Sequence, residues 1–322
     1  MQEFYLHAWA DNNVKKVLKK INSCIEKNKK CRLWILCAEE YEYISVNDYK
    51  LSRFVFKTSL VETILILGVL EHTYLEKYTK QGVKVILWTT FWFFNSVRLA
   101  SLKNISSKKD IKNLFICMNN VAHDHRIKTI DCLVKNDLLK HGLISWHRNT
   151  NKFKYWNEEI TTLPSEKNEF FQSILPKELN SCLVNVITES TTEDYLIDVS
   201  EKTIHAILAG LPFIIIGCPG LHRKLEELGF KLYTELFNYD FDNIKDDNER
   251  IENIVFQLKK LKDKNYNVLF DRVKDKVIRN RQNLFRIIEK DTGVPQEIYK
   301  FPVYEEIIRE SKLSTKLIKK GV

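Results

Sequence analysis

The sequence predicts two doubly wound, Rossmann-like α/β domains followed by C-terminal helices. Three observations predict it. Short apolar runs of strand length, rich in β-branched residues, alternate with segments of helical periodicity. The alternation stops at residues 101–110 (SLKNISSKKD), a polar, lysine-rich stretch without periodicity, and then starts again. From residue 267 onward only helical periodicity remains. The expected boundaries are therefore 1–105, 110–265 and 266–322, and 322 residues suffice for two domains of about 100 to 200 residues each.

In the first domain Val14, Val17, Leu18, Ile21 and Ile25 recur at helical spacing with lysines opposite, which predicts an amphipathic helix. Residues 32–38 (RLWILCA) follow as a buried strand, and Glu39 and Glu40 emerge at its carboxyl end. A second strand is expected over 63–67, a helix over 71–80, a turn at Gly82 and a third strand over 83–88. Ligands of doubly wound sheets lie outside the carboxyl ends of the strands, where Glu39, Glu40, Thr89 and Thr90 fall. The aromatic run 88–95 (WTTFWFFN) reads as an acceptor platform or as core or domain interface, the commoner use of such runs.

The second domain opens with a strand over 114–118, a loop carrying His123 and His125, and a helix over 126–140 with Ile127, Ile130, Leu133, Val134 and Leu138 on its apolar side. Gly142 reads as the stop, and 143–146 as the next strand. A helix over 168–175 is bounded by Pro176. The stretch 183–230 organises the rest: strand 183–188, a loop, a helix, and strand 212–216. Ser200 stands at the N-cap of that helix, Asp198 and Glu201 form a weaker capping-box variant, and Gly210 closes the helix. Its first turn offers free N–H groups and the positive end of the helix dipole, which suit a phosphate, and Lys202 adds a full charge. Pro219 reads as the first residue of a helix over 220–228, followed by a strand over 230–233. Asp240-Phe241-Asp242 has the form of a cation-holding D-x-D, and His123 and His125 that of an H-x-H. Neither has a supporting ligand set, so the expectation is a loop before a helix over 249–264 and no metal. Leu269, Val273, Val277, Leu284 and Ile287 predict a long helix over 267–289.

Composition narrows the class. Hydrophobic residues make up 44% and charged residues 29%, enough for a packed core. No apolar run approaches the roughly 18 to 20 residues of a membrane-spanning helix, and the N-terminus has no basic segment leading into an apolar one. Seven scattered cysteines without a C-x-x-C pair predict reduced thiols in a cytoplasmic protein, with neither zinc nor a disulfide framework. The net charge is +9, and residues 266–322 hold 13 Lys and Arg against 8 Asp and Glu. Such a surface attracts nucleotide phosphates, nucleic acid and anionic membrane alike, and lysine-rich helices also serve simply as solvated faces.

The segments VITES and DVSEKTIHAILAGLPFIIIG resemble the donor-binding motif of the α-1,3-fucosyltransferases, inverting enzymes of GT-B architecture that transfer fucose from GDP-fucose. The resemblance implies a nucleotide-sugar co-substrate, GDP-sugar favoured, with no other cofactor, and a glycan or other hydroxyl acceptor. It implies an acceptor domain over 1–105, a donor domain over 110–265, and C-terminal helices that pack back across the domains. Arg126 matches the family's arginine at the head of a helix, expected at the donor pyrophosphate, although His123 and His125 replace its usual proline-containing loop. CAEE at 37–40 resembles the segment that carries the acceptor base, with Ala38 in place of glycine, so Glu39 is the first candidate base, followed by Glu40 and Glu71.

The chemistry itself requires stabilisation of a departing diphosphate and deprotonation of an acceptor hydroxyl. Arg126, Lys202 and the N–H groups after Ser200 suit the first task. Glu201 suits the ribose hydroxyls, and Glu189 the donor sugar or the placement of the cationic residues. Two alternatives remain: a transferase that glycosylates a modified base in DNA, and a non-catalytic protein that binds nucleotide sugar or nucleic acid. Backbone binding to DNA weakens steeply with salt, whereas a sugar-nucleotide pocket responds less.

Overall fold

The computed structural model describes residues 1–7, 11–37, 59–73, 75, 78, 82–99, 110–119, 122–146 and 177–320. It divides into two compact units, Met1–Trp92 with Asp291–Arg309, and Phe93–Lys290 with Glu310–Val322, and each has its own parallel sheet. Glu39, Glu40, the expected helix over 168–175 and the linker residues 101–109 lie outside the described residues.

The first unit runs β1 (Gln2–His7), α1 (Asp11–Glu26), β2 (Cys31–Cys37), β3 (Val61–Leu67), a two-residue β4 (Glu71–His72) and β5 (Val83–Leu87). Its sheet has the order β1-β2-β3-β5, with every pairing parallel. Near-continuous burial along β2 and β3 explains their unbroken apolar sequences, since a parallel sheet covered on both faces has no wet side. Strand β1 was not expected from the sequence. Its QEFYLH alternates, with Phe4 and Leu6 buried and Glu3 and Tyr5 half-buried, as suits an edge. Glu3, Arg32 and Glu62 stand opposite one another in register, and Arg32 bridges Glu3 at 3.0 Å and Glu62 at 2.6 Å. Glu71 and His72, expected in a helix, are extended. His72 is buried there, its ring centroid 5.9 Å from that of buried Tyr78. The aromatic run is buried throughout: Trp88, Phe91 and Trp92 belong to this unit and Phe93 and Phe94 to the second, the last four on α2 (Phe91–Leu99).

The second unit runs β6 (Asn113–Asn119), α3 (Asp124–Lys135), β7 (Gly142–Trp146), β8 (Cys182–Thr188), β9 (Leu196–Ile197), α4 (Glu201–Leu208), β10 (Phe213–Ile216), α5 (Leu221–Glu227), α6 (Asp247–Lys259) and α7 (Tyr266–Glu289). The last residues of α8 (Pro302–Lys320) also belong to it. Its sheet has the order β10-β8-β6-β7, all parallel. From β6 the chain passes to β7 on one side and then to β8 on the other, so the strand order reverses between β6 and β8. In open α/β sheets that switch point is where a crevice forms at the carboxyl edge.

Packing explains where elements depart from expectation. Helix α3 ends at Lys135, before the expected stop, because Asp137 takes a left-handed conformation (φ 55°). Gly142 instead begins β7 in extended conformation, and a Cβ there would meet the Phe115 ring at 2.4 Å. Helix α5 is capped by left-handed Gly220, which leaves Pro219 outside it. The strand expected over 230–233 does not form. The α7 residue Asn280 takes the backbone of Lys231 instead, accepting from its N–H at 2.6 Å and donating to its carbonyl at 2.9 Å, and the Tyr239 hydroxyl accepts from the Tyr233 N–H. The final turns of α8 present Ser311 and Thr315 inward, and Ser311 donates to the Phe94 carbonyl. No helix among the described residues is long and apolar enough to cross a membrane.

Candidate functional site

Four elements of the second unit meet at the β6/β8 switch point: the carboxyl ends of those strands and the first turns of α3 and α4. Side chains close the floor. Thr188, last in β8, donates its hydroxyl to Asn119 Oδ1, last in β6, at 2.7 Å. Both are buried.

Glu189 follows immediately, and each of its polar groups is engaged. Its N–H donates to the Ile216 carbonyl at the end of β10 at 2.9 Å. Its carbonyl accepts from His125 Nε2 at 2.8 Å and from Arg126 Nη2 at 3.0 Å. Carboxylate atom Oε1 accepts the Ser200 N–H at 3.1 Å and the Thr203 hydroxyl at 2.8 Å. One buried residue thus ties the first turn of α3, the first turn of α4 and the end of β10 together. The carboxylate itself meets the Ser200 N–H and the Thr203 hydroxyl, and it is the backbone carbonyl that meets Arg126.

Helix α4 begins as expected. Ser200 is its N-cap, and the hydroxyl accepts the Lys202 N–H at 3.4 Å and the Lys202 ammonium at 3.1 Å. Lys202 also pairs with Glu201 at 3.2 Å, both side chains largely covered. Burial favours the neutral form of Glu201, but the charges of Lys202 and His205 outweigh it and hold the carboxyl below its ordinary value. Glu201 is therefore held as an anion, which accepts hydrogen bonds and donates none. Asp198, read as part of a capping box, instead accepts the Val199 N–H at 2.8 Å.

Arg126, the third residue of α3, is 4% exposed and reaches the carbonyls of Thr188 at 3.4 Å and Glu189 at 3.0 Å. The sequence brings Arg126, Glu189, Ser200, Glu201 and Lys202 to one edge of one sheet. Glu71 is half-buried on β4 of the first unit.

Of the D-x-D aspartates, Asp240 is exposed and accepts from Asn238 Nδ2 at 2.6 Å, whereas Asp242 is buried and fully engaged. Asp242 accepts from the His222 backbone N–H at 3.1 Å, from His222 Nδ1 at 2.8 Å and from the Arg223 N–H at 3.0 Å. Among the described residues no three His, Cys, Asp or Glu side chains are grouped to hold a metal. Cys117 on β6 and Cys218 after β10 are buried, and burial pushes their thiols up to about 11 and about 12, so neither supplies a thiolate near neutral pH.

Asn119, Thr188 and Thr203 are not singled out by the sequence, and His125 is read there only as half of an H-x-H and as part of the loop before Arg126. Thr203 had a signal in its place three residues after the N-cap. Asn119 and Thr188 had a weaker one, as polar residues ending apolar strands.

No protein-family model and no curated protein matches the chain. Among solved structures, one similar fold is the DNA-modifying enzyme β-glucosyltransferase, solved with and without its substrate uridine diphosphoglucose: 10% identity, TM-score 0.39, covering 89% of this chain and 74% of that one. Another is an α1,3-fucosyltransferase: 11% identity, TM-score 0.34, covering 90% of this chain and 91% of that one. Likenesses this remote assign no donor, acceptor or residue.

Proposed function

We propose that the chain is a glycosyltransferase of GT-B type that moves a sugar from a nucleotide-sugar donor to an acceptor hydroxyl. The observation that carries this reading is the engagement of Glu189 by both helix starts, which brings Arg126, Lys202 and the N-terminus of α4 to the β6/β8 switch point. Charge develops on the diphosphate as the glycosidic bond breaks. Preorganised cations and N–H groups stabilise that charge in the transition state more than in the ground state. Arg126 and Lys202 supply this role without a divalent ion.

Glu201 receives the ribose hydroxyls. GDP-sugar is the favoured donor, with fucose as one candidate sugar, both on the motif at 186–217. The reaction is a single inverting displacement. Glu39 takes the proton of the acceptor hydroxyl as its oxygen attacks the anomeric carbon, and the bond to the diphosphate breaks on the opposite face; Glu40 and Glu71 are the next candidate bases. The acceptor is a glycan or another hydroxyl compound.

Calorimetric titration of the full chain with GDP, UDP, CMP and ADP and with their sugar conjugates tests the reading. Saturable binding of one nucleoside diphosphate and its sugar that persists at moderate salt, with release of that diphosphate when acceptor is added, is the expected result. Binding of none of them removes the proposal. The net charge of +9 favours DNA as the second possible acceptor, and a steeply salt-dependent affinity for duplex DNA would identify it.

A further inference from the structure

We infer that His125 is a positioning residue for the diphosphate end of this site: by sharing the Glu189 carbonyl with Arg126, it fixes the arginine and the start of α4 in one arrangement. The inference rests on the proposal that this edge receives a diphosphate. A carbonyl oxygen only accepts, so the 2.8 Å contact places the imidazole proton on Nε2. Arg126 Nη2 donates to the same oxygen at 3.0 Å. Two donors from consecutive residues of α3 therefore converge on one atom of Glu189, whose carboxylate holds Ser200 and Thr203 of α4.

The helix backbone that carries the ring is braced as well. Thr129 donates to the His125 carbonyl at 2.7 Å, and the His123 ring lies parallel at 5.8 Å. Burial lowers the imidazole to about 4, against a smaller opposing effect of the bond to Glu189, and the nearby charges are Arg126, His123 and Asp247. At neutral pH the ring therefore donates a hydrogen bond without placing a second positive charge beside Arg126. Lysine or arginine here would repel Arg126, and an apolar residue would leave the carbonyl to Arg126 alone, drawing the guanidinium toward the sheet.

A histidine that only fills space is replaceable by any side chain of similar size, whereas a donor is replaceable only by a donor. His125→Met and His125→Gln are nearly equal in shape, and only the second carries an N–H. Affinity for inorganic pyrophosphate, measured by calorimetry on the full chain at neutral pH, should fall at least tenfold in His125→Met and stay within about threefold of wild type in His125→Gln. Equal affinities in the two variants would overturn the inference.

If the wild-type chain binds neither pyrophosphate nor any nucleoside diphosphate, the proposed function falls and the decision passes to hydrogen exchange. The Ser200 amide should then exchange at least tenfold faster in His125→Met than in His125→Gln, and equal rates would dismiss the positioning role. Should His125→Met fail to fold, the nitrogen spectrum of wild-type His125 decides: a proton on Nδ1 rather than Nε2 excludes the shared carbonyl.

Discussion

Asp242 and His222 are locked together by two hydrogen bonds to a single carboxylate oxygen, one from the histidine backbone at 3.1 Å and one from ring Nδ1 at 2.8 Å. The other ring nitrogen accepts the Ile215 N–H at 3.1 Å, so the histidine joins the loop before α6 to the interior of β10. Replacing Asp242 with alanine leaves buried N–H groups of His222 and Arg223 without an acceptor. The expected cost is about 3 kcal/mol of unfolding free energy, and Asp242→Asn should recover part of it through its remaining oxygen.

The same carboxylate gives stability a pH dependence. Burial alone would raise its pKa, but the bonds from His222 and Arg223 hold it below the ordinary carboxylate value. A lowered folded pKa means stability that is present above the unfolded pKa of about 3.9 and lost as pH falls through the folded value. Urea unfolding between pH 7 and pH 3 should therefore fall more steeply for wild type than for Asp242→Ala below about pH 4. Parallel curves would remove Asp242 as a source of acid sensitivity.

Much of this arrangement was legible in the sequence where the cause is local. Ser200, Gly210 and the apolar runs of β8 and β10 act through backbone geometry and burial within a few residues, and the structure places them as expected. What was not legible depends on partners far along the chain. Nothing near Phe230 announces that Asn280, some fifty residues later, will occupy its neighbour's backbone in place of a strand partner. Gly142 shows the same limit: it read as a helix stop, but its role is set by the ring of Phe115. In the candidate site the charged residues stood out by type and spacing. Asn119 did not, and His125 stood out only as half of an H-x-H, because their bonds to Thr188 and Glu189 cross about 65 to 70 positions of sequence.

Gly142→Ala tests that steric reading. The backbone φ of −146° is one that any residue adopts, so the obstacle is the added methyl group, whose carbon would sit 2.4 to 2.6 Å from three atoms of the Phe115 ring. Overpacking of this kind costs about 2 to 3 kcal/mol. Phe115→Leu should be destabilising alone, yet the double variant should be less destabilised than the two losses added together, because the shorter side chain makes room. Additive losses in denaturant unfolding would show that the contact is relieved elsewhere.

Glu189 offers a contrast between two substitutions. In Glu189→Gln the amide oxygen still accepts the Ser200 N–H and the Thr203 hydroxyl, so the loss should stay below about 1.5 kcal/mol. Glu189→Ala strands both donors and opens a gap beside Gly217, for an expected loss of about 2 to 5 kcal/mol. Thermal and urea unfolding of both variants decide the matter, and equal losses would mean that the carboxylate charge, rather than its acceptor geometry, holds α4.

Lys202→Ala is the cleaner of the two tests of the cationic residues. Arg126 is buried and bonded to two carbonyls of the sheet edge, so its removal disturbs the fold along with any ligand contact. Lys202 is bonded to its neighbours Ser200 and Glu201 within the first turn of α4, so its removal disturbs less of the fold than removal of Arg126. A charge-assisted contact to a phosphate contributes about 1.5 to 3 kcal/mol, or roughly ten- to a hundredfold in affinity. The expected outcome is therefore a variant that melts close to wild type and binds the nucleoside diphosphate at least tenfold more weakly. Calorimetry at two salt concentrations checks it, and unchanged affinity would move the phosphate away from the first turn of α4.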